Sequence, residues 1–222
     1  AYTIQAASPK GFAVDMTLTQ VKPPALQGDN GLSAKSADAG NASHYYTLSR
    51  LVTAGTITIG DETFPVNGYT WKDHEFSTSA LGSTALGWDW FGLQFDDNRE
   101  LMVGKIRLAD GGREPAFGGL LVQEDGSTVY LPSESFTIES TGTWPSPHTG
   151  AVYPSGWQIT VSGAAIGQPA DLRFTVTPLQ LDQELHSGDI AYWEGAVALS
   201  GDVTGYGYAE LTGYVQTMTG RF

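Results

Sequence analysis

The chain has 222 residues, of which 28 are glycine and 11 are proline, and it contains no cysteine. One of these two helix-breaking residues falls about every sixth position, and each costs roughly 1 to 3 kcal/mol inside a helix. All-helical and helix-rich α/β folds are therefore excluded. Hydrophobic residues make up 41% of the chain, which is enough to bury a core and excludes a disordered chain.

The net charge restricts the partners and the location of the protein. The chain carries 24 acidic and 11 basic residues, a formal net charge of -13 at pH 7. Nucleic acids and anionic membrane surfaces repel such a chain, so neither is an expected partner. No stretch approaches the ~20 apolar residues of a transmembrane segment. The lack of cysteine excludes disulfides and thiolate chemistry, and the composition favours an extracytoplasmic location, periplasmic or secreted.

Apolar and polar residues alternate with period two in several runs, which predicts strands. In chain order these runs lie at 14–18, 91–95, 159–161, 172–176 and 206–214. Turn sequences rich in Asp, Asn and Gly stand between them. The pattern predicts an all-β fold in which an antiparallel meander closes as a barrel or a sandwich. One window, 179–186, has a helical pattern of at most two turns.

Two polar segments, 20–43 and 77–85, contain few large apolar residues and are predicted to be connections. A cut before the second segment divides the chain into residues 1–76 and residues 77–222. The second part has the size of a complete small β-barrel. The first part holds about five predicted strands, which is few for a barrel, so these strands are expected to need a further partner.

Four segments interleave carboxylates or histidine with large aromatic rings, at 68–76, 87–91, 192–195 and 206–214. Because side chains alternate between the faces of a strand, Asp89 is expected to lie with Phe91 and Phe95, opposite Trp88 and Trp90. If that face is the interior, burial disfavours the charged carboxylate. Asp89 is then a candidate proton donor at neutral pH.

The same alternation separates His74 from its two acidic neighbours, Asp73 and Glu75, which share the other face with Trp71. A metal site formed by this Asp-His-Glu sequence is therefore not expected. No nucleotide, phosphate or serine-nucleophile motif is present, and no cofactor is predicted.

Each of these residues also has a structural interpretation. Asp89 can be a hydrogen-bonded core group, and His74 can be a charge-balanced strand residue. The tryptophans and tyrosines can belong to the core or its rim. The acids of the last two segments can form cross-strand ion pairs, Glu194 and Glu210 with Arg107 or Arg173.

Six motifs follow one another along the chain: Gly31-Leu32-Ser33, Asn41-Ala42-Ser43-His44-Tyr45-Tyr46, Trp71-x-Asp73-His74-Glu75, Gly87-Trp88-Asp89-Trp90-Phe91, Tyr192-Trp193-Glu194-Gly195 and Gly207-Tyr208-x-Glu210-Leu211-Thr212-Gly213-Tyr214. In this order they resemble the AttH-type lipocalin-like family, which includes bacterial carotenoid 1,2-hydratase (hydroxyneurosporene synthase). The resemblance implies a complete lipocalin-like (calycin) antiparallel barrel over residues 77–222. Residues 1–76 would be the closing, C-terminal strands of a first barrel whose N-terminal part is absent. A companion N-terminal fragment of the same protein is accordingly an expected partner.

The resemblance also implies catalytic roles for His74 and Asp89, which match proton-handling positions of the hydratase branch. Phe76 and Gly87 stand where that branch has Trp and Tyr. The leading hypothesis is a hydratase- or isomerase-type enzyme, a hydro-lyase or a pericyclase-like catalyst. It would act by acid–base catalysis on an apolar, unsaturated, isoprenoid- or polyketide-like ligand. Asp89 would protonate a carbon–carbon double bond, and His74 would accept a proton from the attacking water.

The residues expected to contact this hydrophobic ligand are aromatic or acidic: Trp71, Phe76, Trp88, Trp90, Tyr192, Glu194, Tyr208 and Glu210. Since Trp88 and Trp90 point away from Asp89 in a regular strand, the hypothesis needs a bulge near Gly87 or a site at the seam of the two barrels. Two alternatives remain open. One is a non-catalytic carrier that holds a lipid or hydrophobic ligand in an apolar lumen, and the other is a carbohydrate-binding β-sandwich.

Overall fold

The fold consists of antiparallel strands arranged in two large sheets. The structure, a computed structural model, describes residues 1–78, 81–187 and 190–219. Within these ranges the helical segments are two short 3-10 turns, Ser133–Ser135 and Ala164–Ile166. The predicted all-β class is confirmed.

The first sheet has six strands and is built around its fifth strand. The strands are β1 (Tyr2–Ser8), β2 (Phe12–Gln20), β3 (Ala25–Leu26), β4 (Leu32–Ala34), β5 (Ala42–Ile59) and β6 (Glu62–Phe76). β5 pairs with β2, β3, β4 and β6. Because β5 is long, it can form the hairpin with β6 and also pair with three shorter strands.

The second sheet curls into a nearly closed barrel. The strands of this part of the chain are β7 (Ala85–Phe95), β8 (Glu100–Leu108), β9 (Gly119–Val122), β10 (Thr128–Leu131), β11 (Phe136–Ser140), β12 (Thr143–Pro145), β13 (Val152–Pro154), β14 (Trp157–Val161), β15 (Leu172–Pro178), β16 (Glu184–Ser187), β17 (Ile190–Gly201) and β18 (Gly205–Leu211). The barrel order is β10-β9-β8-β7-β18-β17-β15-β14-β11, with β16 beside β17. β12 and β13 form a separate hairpin.

The barrel is filled by its own side chains. Phe91 and Phe95 of β7 are at most 1% exposed, and their rings meet Trp157 and Phe174 edge-on, with centroids 5.1 and 5.7 Å apart. Edge-to-face packing of buried rings adds to the stabilisation from their buried area. The interior that the carrier hypothesis assigns to a ligand is therefore occupied by a packed core.

A buried ionic cluster joins the first sheet to the outside of the barrel. The carboxylate of Glu100, on β8, is fully buried and accepts hydrogen bonds from Lys22 at 3.0 and 3.1 Å, from Ser49 at 3.1 Å and from Arg50. Ser49 and Arg50 lie where the register of β5 against β6 shifts. A bulge of this kind bends the strand and re-aims its side chains. We call these four residues the Glu100 cluster.

The helical prediction for 179–186 is wrong. Glu184–Ser187 forms β16, which pairs with β17 so that Leu185 lies opposite Tyr192. A helix of two turns has too few internal hydrogen bonds to be stable alone, whereas an added strand completes its backbone hydrogen bonds on an existing sheet.

All strands of the first sheet lie within residues 1–76, and all strands of the barrel lie within residues 77–222. The interpretation of these parts as two barrel domains, the first incomplete, stays a prediction. Among the described residues, no helix is long and apolar enough to cross a membrane.

Candidate functional site

A large cavity lies between the first sheet and the outer face of the barrel. Its volume is about 750 Å³, which is in the range of small-molecule sites. Ser43, Tyr45 and Asp73, from β5 and β6, belong to one wall, and Trp88 and Trp90, from β7, belong to the other. We call it the seam cavity.

The barrel wall of the seam cavity follows from the alternation of β7 and β18. Asp89 and Phe91 point into the barrel, so Trp88 and Trp90 point outwards and line the cavity. Trp90 lies opposite Glu210 in the pairing of β7 with β18. Trp88 donates a hydrogen bond from Nε1 to Oε1 of Glu210 at 2.9 Å. Two indoles therefore flank one carboxyl group on this wall.

Glu210 binds a proton more readily than an ordinary glutamate. Burial raises its pKa, and the charge of Glu194, directly opposite on β17, raises it further. The hydrogen bond from Trp88 lowers the pKa, and the more distant charges of Asp73 and Glu75 raise it. The resulting pKa of Glu210 is about 7, so both forms of the group are populated at neutral pH.

Asp73 is the corresponding carboxyl on the opposite wall. Burial raises its pKa to about 6, although the Thr47 hydroxyl, which donates to Oδ1 at 2.5 Å, opposes the shift. Asp73 is nevertheless a solvent-exposed residue of β6 at the edge of the cavity, so the effect of burial on its pKa is partly screened by water. At neutral pH Asp73 is largely charged and can accept a proton. Glu210, on the other wall, still holds its proton in part of the molecules and can donate it.

One ammonium group also lies in the seam cavity. Lys35 forms an ion pair with Glu75 and stands over the rings of Tyr45 and Phe117, 5.4 and 4.9 Å from their centroids. Among the described residues that line the cavity, Lys35 is the only cation, against three carboxyl groups.

Asp89 is buried, as predicted, but it lies inside the barrel and not in the seam cavity. Its Oδ1 accepts hydrogen bonds from Arg107 Nε at 3.0 Å and from the Tyr214 hydroxyl at 2.8 Å. Lys105 Nζ lies 3.3 Å from Oδ2. Arg107 and Lys105 are therefore both ion-pair partners of this carboxylate. The structural interpretation of Asp89 fits this environment.

His74 is not among the residues that line the seam cavity, although its neighbours Asp73 and Glu75 are. Its ring stacks on Tyr46, with centroids 5.2 Å apart, and meets Phe76 edge-on at 5.4 Å. Asp73, one residue earlier, points to the cavity side, as the alternation predicted. The first sheet and the barrel wall therefore separate His74 from Asp89, and the structure does not bring the two predicted catalytic residues together.

The residues predicted to contact a ligand fall into two groups. Trp71, Glu194 and Tyr208 are outside the lining of the seam cavity. Trp71 packs edge-on against a lining tryptophan, with centroids 5.9 Å apart, and the other two lie beside Glu210 on the outer face of the barrel. The predicted residues that line the cavity are Phe76, Trp88, Trp90, Tyr192 and Glu210.

The predicted arginine partners of the acidic residues are engaged elsewhere. Arg107 bonds to Asp89, and Arg173 forms an ion pair with Asp171 at 3.0 Å. Glu194 and Glu210 form no ion pair with either arginine. Within the described ranges, no group of three or more histidine, aspartate or glutamate side chains is placed to hold a metal ion.

Sequence reasoning missed part of the opposite wall. Asp73 was assigned to the right face of its strand, but nothing local indicated that this face covers a cavity. Lys35 follows β4 and Phe117 precedes β9. Neither has a motif, because tertiary packing alone brings these two segments together.

These features define the class of protein: an all-β chain with a packed antiparallel barrel and a ligand-sized cavity on the outside of that barrel. The AttH-like family matches residues 1–214, and the chain belongs to this family. The predicted family is therefore confirmed.

The solved structures that are similar to the chain include the following two. A protein assigned as an AttH, from Nitrosomonas europaea, is 34% identical with a TM-score of 0.87 over 97% of this chain. Kievitone hydratase from Nectria haematococca is 18% identical with a TM-score of 0.76 over 96% of this chain, a likeness of fold alone. The fold is lipocalin-like, as predicted, and not the β-sandwich of the third hypothesis.

The chain spans 65% of the length of each of these two structures. No curated protein matches it.

Proposed function

We propose that the protein is a hydratase- or isomerase-type enzyme that transfers protons to and from an apolar, unsaturated ligand in the seam cavity. The observation that carries the proposal is the pair of carboxyls on opposite walls, Glu210 with a pKa of about 7 and Asp73 with a pKa of about 6. A protonated acid and a charged base then coexist near neutral pH, as acid–base catalysis requires. Membership of the AttH-like family supports the proposal, and the likeness to kievitone hydratase supports the fold on which it rests.

The reaction begins with the proton of Glu210. The π electrons of a carbon–carbon double bond form a new C–H bond with that proton, which leaves a carbocation at the second carbon and a carboxylate at Glu210. The indole faces of Trp88 and Trp90 each stabilise the cation by up to about 2 kcal/mol when water is excluded.

The second step differs between the two reaction types. In a hydration, water attacks the cation and Asp73 accepts the proton that the water loses. In an isomerisation, Asp73 removes a proton from the carbon beside the cation, and a new double bond forms there. In both cases Asp73 ends protonated and Glu210 charged, and exchange with solvent restores the starting forms.

The test is proton transfer from solvent. The purified chain is incubated in D2O with acyclic isoprenoid alkenes and prenylated phenols, and mass spectrometry measures incorporated deuterium and added water. We expect a loss of roughly 100-fold or more in Glu210→Gln. The matched control is Glu139→Gln, a change at an exposed glutamate of β11. Absence of deuterium and of added water in all products would contradict the proposal.

A non-catalytic carrier remains the alternative function, and it would use the same cavity because the barrel interior is packed. It would bind the ligands without exchange. An extracytoplasmic location and a companion N-terminal fragment also stay proposals, the first supported by the net charge of -13 and the lack of cysteine.

A further inference from the structure

The charges around the seam cavity are unbalanced. Lys35 is neutralised by Glu75. Asp73, Glu194 and Glu210 form no ion pair with a basic side chain of the described residues. Carboxylates that are partly desolvated and lack a counter-ion favour the binding of a positive charge.

The cavity already holds one cation by a combination of aromatic faces and a carboxylate. The Lys35 ammonium lies 4.9 Å from the centroid of Phe117 and 5.4 Å from that of Tyr45, with Glu75 as its anion. This is the usual geometry of a cation–π contact.

The barrel wall also combines aromatic rings with carboxylates, but none of its described lining residues is a cation. Trp88 and Trp90 flank Glu210, and Tyr192 and Glu194 lie on the neighbouring strand β17, facing the same way. Aromatic side chains of this kind form the cages that bind quaternary ammonium groups in proteins.

We propose that the seam cavity binds a lipophilic cation, in which an ammonium group is attached to an apolar or aromatic body. The ammonium group lies between the indoles of Trp88 and Trp90, next to Glu210. The apolar body contacts Ile106 and Phe117, which line the same cavity. The inference rests on the proposed function in taking the seam cavity as the ligand site, and it requires no catalysis.

The site is expected to respond to pH, because Glu210 gains a full negative charge as the pH rises through its pKa of about 7. A quaternary ammonium ion keeps its charge throughout, so only the protein titrates. The charged and titratable groups that face Glu210 are Glu194, Tyr192 and Tyr208 on the barrel, Asp73, Glu75 and Tyr45 on the first sheet, and Lys35.

The experiment compares benzyltrimethylammonium with neopentylbenzene, its neutral isostere, by titration of tryptophan fluorescence. We expect the cation to bind on the order of tenfold more tightly near pH 8. Its affinity should fall by about tenfold near pH 6, while that of the isostere stays constant. Equal affinities for the two probes, or an affinity for the cation that is independent of pH, would overturn the proposal.

Two variants locate the site. Glu210→Gln should weaken the binding of the cation on the order of tenfold and leave the binding of the isostere unchanged. Trp90→Phe should weaken the binding of the cation more than that of the isostere, because indole is the stronger cation–π partner. Glu139→Gln is the control, and thermal unfolding confirms that each variant is folded. Cation preference that survives both site variants would refute the assignment to this wall.

The two proposals fail separately. Preference for the cation without exchange in D2O supports this inference and removes only the catalytic proposal. Exchange in D2O without preference for the cation overturns this inference alone.

Discussion

Glu194 and Glu210 lie directly opposite each other on β17 and β18, and both point out of the barrel. Directly opposite side chains on neighbouring strands have Cβ atoms roughly 5 Å apart, and like charges at this distance repel. Together with burial, which is the larger cause, this repulsion raises the pKa of Glu210 to about 7, so Glu210 keeps its proton at a pH where isolated glutamates have lost theirs.

The first prediction follows from this repulsion. Glu194→Gln removes the facing negative charge, so the pKa of Glu210 should fall from about 7 towards the value of an ordinary glutamate. Carbon-detected NMR of labelled glutamate measures the titration directly. Glu62→Gln, a change at an exposed residue of β6, is the control. An unchanged pKa of Glu210 in Glu194→Gln would show that burial alone sets it.

The second prediction concerns stability and pH. The folded chain holds the Glu210 proton up to a pKa of about 7, whereas the unfolded chain releases it near 4.3. The free energy of unfolding should therefore lose on the order of 3 kcal/mol as the pH rises between these two values. Glu210→Gln mimics the protonated form and should lack this loss. Urea unfolding near pH 5 and pH 8 measures the free energy of unfolding of both proteins. An equal change with pH in the variant and the wild-type chain would contradict the prediction.

The third prediction separates Asp89 from the chemistry of the seam cavity. Asp89→Asn leaves Arg107 and Lys105 without their anion, which should cost about 2 kcal/mol because both cations are partly exposed. Exchange in D2O, measured per folded molecule, should be unchanged. A variant of full stability that has lost exchange would restore Asp89 as the proton donor.

The fourth prediction concerns the junction of the two sheets. Glu100→Gln leaves the buried ammonium of Lys22 and the guanidinium of Arg50 without a carboxylate, and should destabilise the chain by about 3 to 5 kcal/mol. Asp97→Asn disrupts a solvent-exposed pair with Arg99 and should cost less than about 1 kcal/mol. Urea unfolding compares the two variants, and equal losses would argue against the Glu100 cluster as the main link.

The fifth prediction uses a glycine behind the cavity wall. A Cβ at Gly92 would lie 2.4 Å from the Trp90 ring and 3.1 Å from the Trp71 ring, so Gly92→Ala must displace the Trp90 indole. Binding of benzyltrimethylammonium should weaken while the chain remains folded. Gly68→Ala is the control, since nothing lies within 4 Å of a Cβ there. Unchanged binding would place the ligand away from Trp90.

The sequence was sufficient to predict which way the side chains of β7 and β18 point. Period-two alternation placed Asp89 on the same face as Phe91 and opposite Trp88, as the structure has them. The sequence did not indicate which side chains of other strands lie next to each face. Lys105 and Arg107 reach Asp89 through the register of β7 against β8, and such a register is decided by tertiary packing.

The assignment of catalysis to Asp89 and His74 stays a prediction, and for the same reason the sequence could not show that the two residues lie in different places. Each residue matched a motif, but a motif does not specify which side of the packed sheets its side chains face. Asp73 was noted as a neighbour of His74, and Glu210 as a residue expected to contact the ligand, but the two were not recognised as a pair. Only the approach of the first sheet to the barrel brings them to one cavity.

The strand β7 carries the barrel core on one side and the seam cavity on the other. Residues that contact a ligand and residues that stabilise the fold therefore alternate along this one strand. Trp88 and Trp90 can change in evolution without removing volume from the interior, while Phe91 and Leu93 preserve the scaffold. Such an arrangement lets a lineage diversify its ligands by exchanging a few outward side chains, with little loss of structural integrity.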